Sequence, residues 1–252
     1  MPPITRQDRL LSRLQERGRA SVAELADDLG VTSATIRRDL STLAGEGRLL
    51  RTYGGATLPD RRLVRDTRTI DAKRAIAAAA ARLVVDGSTI AIGSGTTTLE
   101  FARRLVDRRV TVITNALDIA NVLVDRAEVE LILLGGAVRP RMHSMLGHLA
   151  ELAATELRAE TLFMGIGAIS ATHGLMNDSI PEIQTDRALR RMARSVVVLA
   201  DATKFDAVAP AWVFGLEEVD TIVTDWTLGA DRVAEFERRG VRMIVVPEPG
   251  PP

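Results

Sequence analysis

From Ser88 to Val246 the chain alternates short, apolar, β-branched runs with helical segments, and this alternation constrains the fold more than any other feature. The runs are Ser88–Ile92, Val110–Thr114, Val129–Leu134, Thr161–Gly167, Ser195–Ala200, Thr221–Thr224 and Val241–Val246. Apolar runs of this length are strands buried on both faces. Alternating with helices, they predict an α/β sheet, mainly parallel and covered on both sides. In such sheets ligands sit beyond the carboxyl ends of the strands. The loops after the runs are therefore where a site belongs.

The first 58 residues read differently. A helix is expected from about Thr5 to Glu16, with Leu10, Leu11 and Leu14 as its apolar stripe. A second starts after Ser21, with Glu24 three residues on as a capping box, and ends at Gly30. A third follows Thr32 or Ser33 and ends near Gly45 or Gly47. Its spacing puts Thr35, Arg37 and Arg38 on one side and Ile36, Leu40 and Leu43 on the other. Such a helix buries one face and offers hydroxyl and guanidinium groups to a DNA groove. Residues Arg48–Leu58, RLLRTYGGATL, alternate around Gly54-Gly55 and read as a hairpin. Three helices and a hairpin make a winged helix-turn-helix, in which the wing meets the DNA backbone or a minor groove.

A chain of 252 residues fits about two domains. The expected division is a DNA-binding domain over 1–58, a charged linker over 59–72, an α/β domain over 73–247, to which the resemblance described below gives an effector-sensing role, and a tail over 248–252. A new helix is expected from about Asp71 to Val85. The net charge is zero, but residues 1–68 carry 13 arginines against nine acids. A basic head on an acidic body suits a domain that reads DNA joined to one that does not touch it. The absence of cysteine favours an intracellular, cytoplasmic location, and the charged N-terminus is not a signal peptide. The longest apolar run is broken by Arg82 and is too short to span a bilayer, so no membrane partner is expected.

The strand-end loops hold the candidate ligand groups. Gly93–Thr98, GSGTTT, lies between a strand and a helix, where glycines, hydroxyls and free helix N–H groups form either a phosphate cradle or a plain helix cap with small residues for close packing. It is neither a Walker A loop nor a dinucleotide fingerprint. Thr114-Asn115, Gly135-Gly136, Gly165 with Gly167, and Asp201 with Lys204 end other strands. Only Lys73 and Lys204 are lysines, against 31 arginines, so Lys204 stands out as a mobile point charge for a phosphate. Glu182, after Pro181, either complements a helix dipole or accepts hydrogen bonds from ligand hydroxyls. His143, His148 and His173 lack metal-ligand spacing, so no metal, catalytic residue or cofactor is expected.

With these residues laid out, the chain resembles DeoR-family (GlpR-like) bacterial transcription regulators from about Arg6 to Val246. The specific part is SVAELADDLGVTSATIRRDLSTL followed by RTYGGA; GSGTTT, Thr114-Asn115, Gly135-Gly136, Glu182 and DATKF (Asp201–Phe205) carry the rest. The resemblance implies a sensor domain similar in fold to ribose-phosphate isomerase and CoA-transferase domains. It implies that Thr32, Ser33, Thr35, Arg37, Arg38, Arg51 and Tyr53 serve DNA binding. It implies that Ser94, Gly95, Thr96 and Thr97 hold a phosphate with Lys204 nearby, and that Asn115, Gly136, Glu182 and Asp201 line a sugar pocket. Gly93 stands where many members have aspartate, which removes a carboxylate for a sugar hydroxyl.

The resulting expectation is a non-enzymatic, operator-binding repressor of a carbohydrate-catabolic operon. It acts as a homo-oligomer, dimer or tetramer, on double-stranded DNA, and answers to a phosphorylated sugar-type metabolite. The alternative is a sugar-phosphate isomerase-like enzyme with an accessory DNA-binding domain.

Overall fold

A computed structural model describes residues 6–17, 19–45, 49–52, 55–57, 67–140, 142–205 and 207–249. The chain divides into two compact units between Asp66 and Thr67.

The first unit contains helices α1 (Arg6–Arg17), α2 (Val22–Leu29) and α3 (Ser33–Gly45), with strands β1 (Arg19–Ser21), β2 (Leu50–Thr52) and β3 (Gly55–Thr57). Leu10, Leu14, Leu25, Ile36, Leu40 and Leu43 bury together, which is the face the periodicity selects. Ser21 and Glu24 form the expected capping box: Glu24 N donates to Ser21 Oγ at 3.2 Å, and Ser21 N donates to Glu24 Oε2 at 2.7 Å. Gly30 ends α2 in the left-handed region, at φ 64°. The expected hairpin is part of a three-stranded sheet in the order β1-β3-β2. Gly55 is not a turn residue. It pairs with Ser21 and Thr52 inside the central strand, and a Cβ there would lie 2.3 Å from the carbonyl oxygen of Ala20. Gly54 and Tyr53 lie outside the described residues.

The second unit opens with α4 (Thr67–Ala81). This helix begins ahead of the expected Asp71, so the end of the expected linker is helical. Ala72, Ile76, Ala77 and Ala80 form its buried stripe at helical spacing. A seven-stranded sheet follows, built from β4 (Thr89–Ile92), β5 (Val110–Thr114), β6 (Val129–Leu133), β9 (Ala159–Met164), β12 (Ala193–Leu199), β14 (Thr221–Thr224) and β15 (Arg242–Val245). Its order is β15-β14-β12-β9-β4-β5-β6, and every pairing is parallel. The chain winds outward from β4 through β5 to β6, then returns to β9 on the other side and winds to β15. The winding reverses between β4 and β9.

Alternate residues of these strands face two cores. Ile90, Ile92, Phe163, Val197 and Leu199 join Ile76, Ala77, Ala80, Phe101 and Leu105 from α4 and from α5 (Thr96–Ala102) and the turn after it. Phe101 and Phe163 pack with ring centroids 4.4 Å apart. Ala91, Leu162, Met164, Val196, Val198 and Ile222 meet Ala150 and Ala154 of α7 (His148–Glu156), Ala188, Leu189 and Met192 of α8 (Ile183–Met192), and Phe236 of α9 (Ala230–Glu237). Helix α6 (Leu117–Leu123) follows β5.

Two small antiparallel sheets were not expected. One is the hairpin β7 (Ala137–Arg139) and β8 (Ser144–Leu146). The other, β10 (Ala168–Ser170), β11 (Gly174–Asn177) and β13 (Ala211–Phe214), has the order β10-β11-β13. Among the described residues no helix is long and apolar enough to cross a membrane.

The close approach at Gly55 gives a test of the small β-sheet. Gly55→Ala is expected to cost about 1–3 kcal/mol, the range for overpacking against unyielding atoms. In the full chain, amide hydrogen exchange should accelerate in β1 and β3 and stay unchanged in the seven-stranded sheet.

Candidate functional site

The DNA-facing candidates are arranged around α3. Thr32 caps the helix: Thr35 N donates to Thr32 Oγ1 at 3.3 Å, and the two hydroxyls meet at 3.0 Å. Arg37 and Arg38 are exposed, as is Thr32, while Ser33 and Thr35 are half-buried. Asp39, between the arginines and Leu40, does not point outward. It is buried, and Arg6 binds it through Nε at 2.6 Å and Nη2 at 3.1 Å. The acid of the TIRRDL string therefore ties α3 to the start of α1. Arg51 lies on β2; its side chain and the whole of Tyr53 fall outside the described residues.

Hydrogen bonds from Arg6 hold the Asp39 carboxyl below the usual carboxylate range, against the opposing effect of burial. A lowered folded-state value stabilises the fold above the unfolded value, near 3.9, and the contribution disappears as pH falls through the folded value. Asp39→Asn should therefore lower the melting temperature of the N-terminal unit at neutral pH. The difference from wild type should shrink below about pH 4. A constant difference from pH 7 to pH 3, followed by circular dichroism, would contradict the assignment.

Among the ligand-facing candidates, Ser94, Gly95, Asn115, Gly136 and Asp201 follow strands of the parallel sheet, Thr96 and Thr97 open α5, Lys204 ends the turn after β12, and Glu182 lies in a turn ahead of α8. After β4, Gly93 N donates to Phe163 O at 2.9 Å, and a Cβ on Gly93 would sit 3.5 Å from that of Met164. Gly95 turns the chain at φ 152°, and a Cβ there would lie 4.0 Å from the Cα of Gly165. The glycine loops after β4 and β9 thus approach at backbone distance. Ser94, Gly95 and Thr96 keep accessible surface, whereas Thr97 and Thr98 are buried. Thr98 Oγ1 donates to Gly95 O at 3.0 Å, which fixes the loop.

Asn115 is buried at the end of β5. Its Nδ2 donates to Met145 O at 3.2 Å, and its Oδ1 has no partner. Gly136 follows β6 at φ 137°, with room for no side chain: a Cβ would lie 2.6 Å from Leu146 O. Its role is to let the β7–β8 hairpin close. Asp201, after β12, accepts hydrogen bonds from the amide and hydroxyl of Thr203, so one of its oxygens is engaged in its own turn. Lys204 ends that turn, half-buried.

Glu182 lies in the 3₁₀ turn Ile180–Glu182 and is buried. Ser144 Oγ donates to its Oε1 at 3.2 Å, and Arg139 Nη1 lies 2.6 Å from the same oxygen. The sequence reading missed these partners. It also missed Asp186, one turn beyond Glu182, whose Oδ2 accepts from Asn177 Nδ2 at 2.7 Å. Asn177 Oδ1 in turn accepts from Gly167 N at 2.9 Å, linking α8 to the glycine loop after β9. The i, i+4 spacing of Glu182 and Asp186 was the available signal. Arg139, Ser144 and Asn177 join them only through the tertiary fold. Among the described residues no group of three or more His, Asp or Glu could hold a metal ion.

Comparison with known proteins follows these two units. The DeoR-like helix-turn-helix domain matches residues 6–62, and the DeoR C terminal sensor domain matches residues 68–226. The chain belongs to the DeoR family. Similar relatives include the HTH-type transcriptional repressor CsqR of Escherichia coli, 33% identical and covering 87% of each chain. The HTH-type transcriptional regulator GlpR of Haloferax volcanii is 32% identical over 97% of this chain and 98% of its own. A ribose 5-phosphate isomerase A from Methanocaldococcus jannaschii aligns over 53% of each chain, at 22% identity and a TM-score of 0.40. This DeoR-family regulator thus carries its DNA-binding helix-turn-helix in the first unit and its sensor sheet in the second.

Proposed function

We propose that the chain is a homo-oligomeric repressor of a carbohydrate-catabolic operon, and that a phosphorylated sugar-type metabolite bound at the winding reversal controls its hold on operator DNA. The observation that carries the DNA half is the pair Arg37 and Arg38, exposed on a helix whose other face is fixed by Ile36, Leu40 and Leu43. Such guanidinium groups suit base edges and phosphates in a major groove. One small module reads few bases, so paired half-sites read by at least a dimer supply specificity. Relatives support the regulatory reading by their own names: a glycerol-3-phosphate regulon repressor in Escherichia coli and a lactose phosphotransferase system repressor in Lactococcus lactis.

Ser94, Gly95 and Thr96 meet the phosphate, Lys204 adds charge, and Asn115 and Glu182 meet hydroxyls. The effector acts by binding one arrangement of the chain better than the other, since a ligand shifts an equilibrium only by that difference.

Arg37→Ala and Arg38→Ala are each expected to weaken operator binding by about 1–3 kcal/mol while leaving effector binding intact. A mobility-shift assay on the DNA upstream of the gene measures the first, and calorimetry the second. Wild-type operator affinity in both variants would remove α3 from the interface. Lys204→Ala should weaken a phosphorylated sugar far more than its unphosphorylated twin; equal losses would remove the lysine from phosphate binding.

A further inference from the structure

Helix α7 (His148–Glu156) has its amphipathicity inverted. Its inward positions are small: Ala150 and Ala154, 0% and 2% exposed, pack into the core beside the sheet. Its large apolar residues face out, Leu149 at 65% exposure and Leu152 at 51%. A helix that covers a sheet ordinarily buries its leucines and leaves polar residues outside. A single exposed leucine needs no explanation. Two leucines one turn apart on one stripe mark a surface that meets another molecule.

The exposed positions of α7 are His148, Leu149, Leu152, Thr155 and Glu156. Their spacing puts them on one face of the helix. The stripe is also symmetric about Leu152: Leu149 and Thr155 stand three residues to either side of it, and His148 and Glu156 four. Its two ends carry complementary chemistry, an imidazole at the first residue of the helix and a carboxylate at the last. Among the described residues neither has an ion pair, and Glu156 accepts only from the Thr155 hydroxyl, at 3.4 Å. Next to the stripe, Ala154, Thr155, Arg158, Ala188, Arg191 and Met192 line a cleft of about 170 Å³ between α7 and α8. Thr155 belongs to both the stripe and the cleft.

We propose that the outer face of α7 is a two-fold interface between two copies of this chain, with the two helices packed antiparallel. The occupant follows from the symmetry, because a stripe of this pattern is complementary to itself run backwards, as a two-fold contact requires. Leu152 of each copy meets its equivalent at the axis. Leu149 of each copy meets Thr155 of the other and enters the cleft beside it. His148 of each copy meets Glu156 of the other, an N–H donor against a carboxylate, so both ends of the contact are charge-complementary. Antiparallel packing also sets the positive end of each helix dipole beside the negative end of the other. This interface rests on the homo-oligomeric reading given above and names the surface that serves it.

The test is the mass of the full chain by analytical ultracentrifugation. Leu152→Asp sets two carboxylates together at the axis and should weaken the contact at least about thirtyfold, as loss of a central anchor does. A dimer should then become a monomer, or a tetramer a dimer. His148→Glu should weaken the contact about tenfold by placing like charges opposite each other. Adding Glu156→Lys to that variant should restore it, which a mere loss of helix stability would not do. The chain has no cysteine, so Leu152→Cys supplies a single thiol. A short bis-maleimide should join two copies through it and should not join Val85→Cys, which is 70% exposed on a different segment. If Leu152→Asp fails to fold, the cross-link and the charge exchange decide. A monomeric wild type overturns both this interface and the homo-oligomeric reading. An oligomer whose mass Leu152→Asp leaves unchanged, or a Leu152→Cys chain that does not cross-link, overturns the interface alone. Operator binding is judged separately by its own mobility-shift assay.

Discussion

The sensor unit depends on one constraint: seven strands run parallel, and the winding reverses between β4 and β9. Parallel pairing puts every strand's carboxyl end on one edge, and reversal parts the following helices to opposite faces, opening a crevice. Glycines bring the loops after β4 and β9 close together, Gly93 beside Met164 and Gly95 beside Gly165. A bulky residue at these points would push the loop that carries Ser94 away from the loop after β9. Packing in the two cores and the chemistry at the edge are thus set by the same topology.

The DNA-binding unit shows the same economy on a smaller scale. Ile36, Leu40 and Leu43 bury one face of α3, the Thr32 cap fixes where it begins, and the Arg6–Asp39 pair fixes it against α1. With those positions committed, Arg37 and Arg38 have only solvent, or DNA, to face. Asp39 shows how a motif residue read with a DNA-binding string can act in the fold rather than at the interface.

The long-period features were legible because they rest on local rules. Strands β5 and β14 lie where their apolar runs begin and end, and α2 runs between a capping box and a left-handed glycine. The short antiparallel strands were not legible. Ala137–Arg139 and Ser144–Leu146 are three residues each, with no alternation; their turn is closed by His143 N donating to Arg139 O, and Gly136 leaves room for Leu146 at the open end. At the site, the loops could be read from composition, but the partners of Glu182 and Asp186 come from distant segments. Arg139, Ser144 and Asn177 carry no local sign that they will meet a carboxyl.

Hydrogen exchange on the full chain tests the central claim, that the effector sits at the winding reversal. The first-turn amides of α5 have no partner within the helix, so they report directly on a bound phosphate. With a sugar phosphate that releases the protein from DNA, exchange should slow at residues 93–98 and 165–167. Slowing confined elsewhere, such as the groove lined by Arg74, Arg82 and Arg104, would contradict the account.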